Sequence, residues 1–172
     1  MTAVELRLKE ASAADLLRLT LALQRALRIP VLVNDRADVA LAATAAGVHL
    51  GPDDMPVALA RPLFPPGKLI GASVGTAAEA AHNAGADYWG VGPWRATATK
   101  TDAGPSLGAE GFRRIVAIAG GLPCVAIGGV IPHDVPMVLA AGGAGVAVVS
   151  GILAAPDVEA AARSYALQLG LS

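Results

Sequence analysis

The part of the sequence best suited to chemistry is a run of hydroxyl side chains and one lysine that follows an apolar strand. The predicted strand Tyr88–Val91 leads, through a glycine and a proline, into a segment that contains Thr97, Thr99 and Lys100. Threonine hydroxyls and a lysine ammonium donate hydrogen bonds to anionic oxygens, and glycine and proline allow a sharp turn where the strand ends. This segment therefore predicts a phosphate-binding loop.

Polar residues and glycines also stand at the ends of the other predicted strands. In chain order they are Arg7, Lys9, Asn34, Asp35, Asp53, Asp54, Ser73, Gly128, Gly129 and Ser150. In a TIM barrel such residues converge from every βα unit on the carboxyl ends of the strands, whereas an open doubly wound sheet concentrates them at one switch point. The distribution along this chain favours the barrel.

Each of these residues also has an ordinary structural explanation. Asp35, next to an arginine, is typical of a surface ion pair or a helix cap, and Asp53 and Asp54 suit the start of a helix. Arg7 and Lys9 alternate as residues on the solvated side of an edge strand do. The glycine pair fits a tight turn and the serines fit caps. A functional role for them depends on their coming together in space.

The elements that must position these residues alternate along the chain. Short apolar runs predict strands over Ala3–Leu8, Val31–Asn34, Gly47–Leu50, Leu69–Val74, Tyr88–Val91, Pro123–Ile127 and Gly145–Val149. Helical spacing predicts helices over Ala13–Arg28, Asp38–Ala45, Pro56–Leu63, Glu110–Ala119, Val135–Ala141 and Asp157–Leu169, with a further helix behind the capping box Thr76–Glu79. Continuous apolar strands are typical of buried parallel sheets. Glycines between helix and strand are expected to take the left-handed cap conformation.

Composition limits the classes of function. The 172 residues are 54% hydrophobic and 3% aromatic with a net charge of -1, which fits one α/β domain over residues 1–172. No basic run favours nucleic acid or a membrane surface as a partner. The single Cys124 is expected to be a buried, inert thiol, and we expect a cytoplasmic location. The three histidines share no metal-binding spacing, and we assign none of them chemistry.

Six motifs together resemble the thiamine phosphate synthase family. They are Asn34-Asp35-Arg36, Gly47–Gly51 with Asp53-Asp54, Ile70–Ser73, Gly90–Pro93 with Thr97–Lys100, Ala126–Val130, and Gly145–Ser150. They occur in order over nearly the whole chain, from Val4 to about Leu153. The resemblance implies a (β/α)8 enzyme that joins a hydroxymethylpyrimidine diphosphate to a thiazole phosphate and releases pyrophosphate.

The resemblance also implies a role for each candidate residue. Asp35 and Asp54 would share a Mg²⁺ ion, a cation that prefers oxygen ligands and is often held by one or two carboxylates with substrate phosphates. The proposed catalytic residues are Arg7, Lys9, Ser73 and Lys100. The proposed substrate-binding residues are Asn34, Thr97, Thr99, Gly129, Val149 and Ser150. Among these, Gly129 and the backbone of Val149 and Ser150 would bind the thiazole phosphate.

The sequence departs from the family pattern at three side chains and in its number of strands. Glu5 and Pro52 stand where the family usually has glutamine, and Leu8 stands where it has glutamate. Glu5 would put a negative charge near the diphosphate unless Mg²⁺ or Arg7 offsets it. A TIM barrel has eight βα units, and this chain predicts seven, so the first unit is expected to be missing. A misassigned start, a fragment, a degenerate protein, or a barrel completed by a partner chain or a second copy would each explain this.

Three functions follow as hypotheses. The first is the synthase, which acts on the two small-molecule substrates named above with Mg²⁺ as cofactor. The second is a thiazole tautomerase, whose catalytic histidine would fall near Gly75 in this sequence. The third is a truncated, non-catalytic barrel that binds phosphate. Glycine cannot move protons, which disfavours the tautomerase.

Overall fold

The computed structural model of the protein describes residues 1–96 and 104–171 and alternates strands with helices. Its strands are β1 Val4–Leu6, β2 Val31–Asn34, β3 Gly47–Leu50, β4 Leu69–Val74, β5 Tyr88–Val91, β6 Cys124–Ile127 and β7 Gly145–Ala147. Its helices are α1 Ala13–Ala26, α2 Ala37–Ala42, α3 Val57–Ala60, α4 Ala77–His82, α5 Gly108–Ala119, α6 Val135–Ala140, α7 Ser150–Leu153 and α8 Val158–Gln168. Short 3₁₀ turns cover Arg61–Leu63 and Pro132–Asp134. The predicted α/β alternation is confirmed, and α7 is the helix that the sequence did not predict.

The chain forms two compact units. The first comprises Met1–Ser73 and His82–Asp87, and the second comprises Val74–Ala81 and the described residues from Tyr88 onward. In the first unit, β1 pairs with β2, β2 with β3 and β3 with β4, all in parallel. In the second, β5 pairs with β6 and β6 with β7, again in parallel.

The pairing register of the first unit sorts its side chains into an apolar row and a polar row. Val33, Val48 and Ile70 lie side by side on β2, β3 and β4, and each is 0% exposed. Burying an aliphatic side chain of this size contributes about 1.5–3 kcal/mol. One residue further along, Asn34 and His49 pair on the opposite face because successive strand residues alternate sides. The apolar row thus fixes the place of the polar row.

Local capping explains where the helices begin and end. The Ser12 hydroxyl caps α1 and accepts a hydrogen bond from the backbone N–H of Asp15 at 3.1 Å. The predicted box before α4 is reciprocal: the Glu79 N–H donates to the Thr76 hydroxyl at 3.2 Å, and the Thr76 N–H donates to the Glu79 carboxylate at 2.8 Å. Both predicted starts are confirmed.

The predicted left-handed glycine cap is confirmed at Gly85, with φ of 91°, and is wrong at Gly47 and at Gly143, where the preceding Gly142 has positive φ instead. Helix α2 ends earlier than predicted, and Thr44 takes the left-handed conformation with φ of 51°, closed by a hydrogen bond from the Ala45 N–H to the Ala40 carbonyl of 2.9 Å. Gly47 instead begins β3 at a place where a Cβ would collide with the carbonyl group of Leu69. The absence of a side chain at Gly47 therefore allows β3 and β4 to approach closely and does not end a helix.

In the second unit, a buried carboxylate ties the segment after β5 to the turn before α6. Asp134 is 0% exposed and accepts two hydrogen bonds from the Arg95 guanidinium, through Nε at 2.9 Å and through Nη2. The Ile131 N–H donates to it at 3.0 Å, and the Trp94 side chain also donates. These donors, the Arg95 hydrogen bonds first, hold the pKa of Asp134 below its usual range. A buried charge is tolerated only with such partners.

Two further sequence predictions concern parts of the chain outside the candidate site. Cys124 in β6 is buried, as predicted, and burial raises the pKa of its thiol to about 11, which keeps it protonated at neutral pH. Within residues 1–96 and 104–171, no helix combines the length and the apolar character that crossing a bilayer requires.

We expect Asp134→Ala to lower the free energy of unfolding by about 2–4 kcal/mol, because it removes the buried acceptor shared by the Arg95 guanidinium, the Ile131 N–H and the buried Trp94 side chain. Since the pKa of Asp134 is lowered in the folded protein, its stabilisation is present above about pH 4 and is lost as the pH falls. Urea denaturation at pH 7 and at pH 3 measures both effects. Glu159→Ala, which breaks an exposed ion pair with Arg163, is the matched control and should cost less than about 1 kcal/mol. If the two variants lost the same free energy of unfolding, the stabilising role assigned to Asp134 would be contradicted.

Candidate active site

The polar row of the first unit lies at the carboxyl ends of β2, β3 and β4. Asn34 pairs in register with His49, and His49 pairs with Gly71. Ser73 follows two residues after Gly71 and therefore lies on the same face of β4. The His49 ring reaches it, with Nε2 3.0 Å from the Ser73 hydroxyl oxygen. Two predicted site residues, Asn34 and Ser73, thus flank a histidine to which the sequence assigned no chemistry.

Asp35 leaves the end of β2 in an unusual backbone conformation. Its φ is 63°, in the left-handed region that non-glycine residues seldom occupy. The conformation is held by hydrogen bonds from the Asp35 N–H to the His49 carbonyl at 2.8 Å and from the Arg36 N–H to the Asn34 carbonyl at 2.7 Å. Asparagine and aspartate tolerate this region best among non-glycine residues, and strained backbone concentrates at functional sites.

Asp54 is fixed by the turn that follows β3. Its Oδ2 accepts a hydrogen bond from the Gly51 N–H at 2.6 Å, and its own N–H donates to the Gly51 carbonyl at 3.3 Å. The Asp54 carboxyl group lies close enough to that of Asp35 to raise the pKa of Asp35. The structure therefore brings together the two residues that were predicted as metal ligands.

Burial and the neighbouring charge of Asp54 raise the pKa of Asp35. Desolvation is the largest cause, and the hydrogen bond and charge of Asp54 add to it, so that the pKa of Asp35 rises from 3.8 to about 6. The positive charges of Arg7 and Lys9 act in the opposite direction. All four residues are thus close enough to interact, as a site for an anion and a cation requires.

The carboxylate pair fits a Mg²⁺ ion bound jointly with substrate phosphates. The charge of Asp54 opposes ionisation of Asp35, and a divalent cation bound between the two carboxylates would offset that repulsion. Among residues 1–96 and 104–171 there is no group of three or more histidine, cysteine or acidic side chains placed to hold a metal ion. Two carboxylates with substrate oxygens are nevertheless a usual ligand set for Mg²⁺.

Glu5 precedes Arg7 by two residues and therefore faces the same side of the chain. The residue is solvent-exposed as a whole, yet the protein around its carboxyl group excludes much of the water that would solvate a charge. This loss of solvation raises the pKa of Glu5 from 4.5 to about 7, with Arg7 lowering it. Near neutral pH the group therefore carries less negative charge than the sequence suggests.

The predicted phosphate site of the second unit follows β6 and β7. Gly128 and Gly129 have φ of 88° and 65°, so both need the freedom of glycine. A Cβ at Gly129 would lie 3.0 Å from the carbonyl oxygen of Ala96. Val149 and Ser150 are exposed at the start of α7, which has only four residues. The remaining candidates, Thr97, Thr99 and Lys100, lie outside the described residues.

Sequence spacing alone missed His49. The spacing of the three histidines along the chain matches no metal-binding pattern and so gives no signal at His49. The signal that identifies it is strand register, because His49 occupies the position next to Asn34 and Asp35 on the neighbouring strand.

Parallel strands joined by helices, with acidic and basic groups at the strand ends, define an α/β protein of the kind that binds phosphorylated small molecules. The family model for thiamine monophosphate synthase matches residues 1–152. A thiamine-phosphate synthase of Moorella thermoacetica is 47% identical over 167 residues, which are 94% of this chain and 79% of that protein. One from Methanospirillum hungatei is 45% identical over 170 residues, 95% of this chain and 81% of that protein.

Solved structures agree with the sequence comparison. A thiamine phosphate pyrophosphorylase from Pyrococcus furiosus superposes with a TM-score of 0.86 at 38% identity, covering 98% of this chain and 83% of that chain. The 3-hexulose-6-phosphate synthase of Salmonella typhimurium gives a TM-score of 0.72 at 18% identity, covering 97% of this chain and 85% of that chain, and shows a shared fold alone. The chain belongs to the thiamine monophosphate synthase family.

We expect Asp54→Asn to become more stable relative to the parent protein as the pH rises from about 4 to about 7. An acid whose pKa is raised on folding destabilises the native state progressively across that interval, and the substitution removes one cause of the rise at Asp35. The gain should be on the order of 1 kcal/mol. Denaturant titrations of metal-free protein at several pH values measure it. Asp53→Asn is the matched control, and the same pH-dependent gain in that variant would contradict the pairing.

Proposed function

We propose that this chain is a thiamine phosphate synthase. It would join 4-amino-2-methyl-5-hydroxymethylpyrimidine diphosphate to a thiazole phosphate, giving thiamine phosphate and pyrophosphate. The observation that carries the proposal is the acid pair Asp35 and Asp54 beside Arg7 and Lys9, in a chain of this family. A diphosphate with its cation needs both kinds of charge at one place.

In the coupling reaction, the carbon–oxygen bond to pyrophosphate breaks and a bond to the thiazole forms. The electron pair of the broken bond leaves with pyrophosphate, so negative charge grows on the leaving group. Fixed cations and preorganised donors lower the barrier by stabilising that charge. Arg7 can contact two phosphate oxygens at once, and Lys9 and Lys100 act as point charges.

Asp35 and Asp54 would hold Mg²⁺, which supplies further positive charge to the diphosphate when bound. Ionised Asp35 would serve as a ligand together with Asp54. The residues that would donate or accept hydrogen bonds to the diphosphate or the pyrimidine are Asn34, Ser73, Thr97 and Thr99. Their hydrogen bonds orient the substrate relative to the fixed charges.

The second substrate carries its own phosphate, which we assign to the second unit. Positive φ at Gly129 supports this assignment, because a side chain there would be strained and would crowd the carbonyl of Ala96. The backbone N–H groups of Gly129, Val149 and Ser150 would donate to the phosphate oxygens. The TIM-type barrel, the single domain over residues 1–172 and the cytoplasmic location remain predictions.

The tautomerase hypothesis is disfavoured by the surroundings of Gly75. A Cβ at that position would lie 2.8 Å from the carbonyl oxygen of Gly92, and the Gly75 N–H already donates to the Glu79 carboxylate at 2.7 Å. A histidine would need the backbone to shift. The non-catalytic hypothesis predicts the same phosphate binding as the synthase hypothesis but no formation of product.

With both substrates and Mg²⁺, we expect the purified chain to release one pyrophosphate for each thiamine phosphate formed. Omission of either substrate should abolish release, because the pyrimidine carbon then has no thiazole to bond or no diphosphate is present. Addition of a chelator should also abolish it, because the leaving group then lacks its counter-charge. Phosphorus NMR follows substrates and products together. Binding of both phosphates without any product would favour the non-catalytic protein instead.

We expect Lys100→Ala to reduce kcat/KM by about 10²-fold or more with little change in stability, since it removes a charge that we propose stabilises the leaving group. Lys68→Ala is the matched control. The Lys68 ammonium donates to the carbonyls of Thr44 and Ala45 at 2.9 and 2.7 Å, so its loss should lower the melting temperature and spare the rate. An unchanged rate in Lys100→Ala would show that the loop has another purpose.

We expect Gly129→Ala to raise KM for the thiazole phosphate about tenfold and to leave KM for the pyrimidine diphosphate nearly unchanged. The reason is that an added methyl group strains the backbone and displaces the N–H groups assigned to that phosphate. Gly142→Ala is the matched control, because Gly142 also has positive φ, 88°, and a Cβ there would meet Val116 at 3.0 Å. Similar KM changes in both variants would point to general strain.

A further inference from the structure

His49 is a buried polar side chain in the middle of the candidate site. It is 6% exposed, on a strand whose other residues are buried and apolar. A buried imidazole is costly unless it forms hydrogen bonds, so its partners indicate why the position is polar. One partner is Ser73, a residue proposed to contact the substrate.

Strand register makes this contact possible. His49 pairs with Gly71 on β4, and glycine places no side chain between the imidazole ring and Ser73, two residues further along the same face. The result is the distance of 3.0 Å between Nε2 and the serine hydroxyl. The main chain of His49 serves the same site, because its carbonyl accepts the N–H of Asp35 at 2.8 Å.

The direction of the His49–Ser73 hydrogen bond decides what Ser73 can bind. A serine hydroxyl has one proton to donate. If that proton goes to the imidazole, Ser73 offers only lone pairs, which repel an anionic oxygen. If Nε2 carries the proton and donates it to Ser73, the hydroxyl proton is available to a phosphate oxygen. A diphosphate partner therefore requires the imidazole to donate.

We propose that His49 is a positioning residue for the diphosphate: it donates through Nε2 to the Ser73 oxygen, so that Ser73 donates its own proton to the substrate. The proposal rests on the proposed function, since it takes Ser73 to bind the diphosphate of the pyrimidine substrate. It adds a residue that touches no substrate and acts through Ser73. His49 thereby links Ser73 to the backbone of Asp35.

Three variants separate this role from a merely structural one. His49→Gln keeps an N–H donor close to the position of Nε2, and His49→Met has similar length without a donor. Calorimetry with the pyrimidine diphosphate and Mg²⁺ gives the dissociation constant without requiring turnover. We expect about a tenfold loss of affinity in His49→Met and less than about threefold in His49→Gln. His133→Met, at an exposed histidine, is the control and should bind like the parent.

The decisive measurement is whether the effect of His49→Met on affinity depends on the presence of Ser73. In a Ser73→Ala background, His49→Met should cause no further loss of affinity, because its effect passes through the serine. The nitrogen shifts of His49 should show the tautomer protonated at Nε2. The proposal would be overturned if His49→Met lowered the affinity equally with and without Ser73, or if His49 were the tautomer protonated at Nδ1. Binding with this pattern but without product would refute the synthase and leave the role of His49 intact.

Discussion

The electrostatic interaction between the carboxyl groups of Asp35 and Asp54 is the constraint on which the candidate site of the first unit depends. Two ionised carboxylates in contact repel each other, and partial burial strengthens the repulsion. Arg7 and Lys9 offset part of it, but the pKa of Asp35 still rises to about 6. The site is therefore poised between holding a proton and holding a cation, as a place where a charged leaving group is stabilised should be.

This arrangement requires an unfavourable backbone conformation at Asp35. Asp35 is held at a φ of 63° by a hydrogen bond to the main chain of His49, which is itself set by the pairing of β2 with β3. The apolar row of Val33, Val48 and Ile70 fixes that pairing through burial. The apolar row, the strand register and the turn at Asp35 therefore determine where the carboxylate of Asp35 lies. That position is consistent with the diphosphate chemistry of the family.

Much of this could be predicted from the sequence. Continuous apolar runs predicted β2, β3, β4 and β5 with their observed bounds, since buried parallel strands need few polar residues. Capping patterns predicted the starts of α1 and α4 because the bonds involved are local. Register is not local, so the meeting of His49 with Ser73 could not be predicted from spacing. The left-handed turns at Asp35 and Thr44 were missed because neither residue is glycine.

Carbon-13 NMR of the Asp35 carboxyl group, titrated with and without Mg²⁺, tests whether Asp35 and Asp54 form one cation site. We expect Asp35 to titrate near pH 6 in the metal-free protein and at clearly lower pH when Mg²⁺ is added, because a bound cation favours the ionised carboxylate. In Asp54→Asn, both the elevated pKa and its response to Mg²⁺ should diminish. An Asp35 that titrates near pH 4, or whose titration is indifferent to Mg²⁺, would show that the two carboxylates do not form a joint cation site.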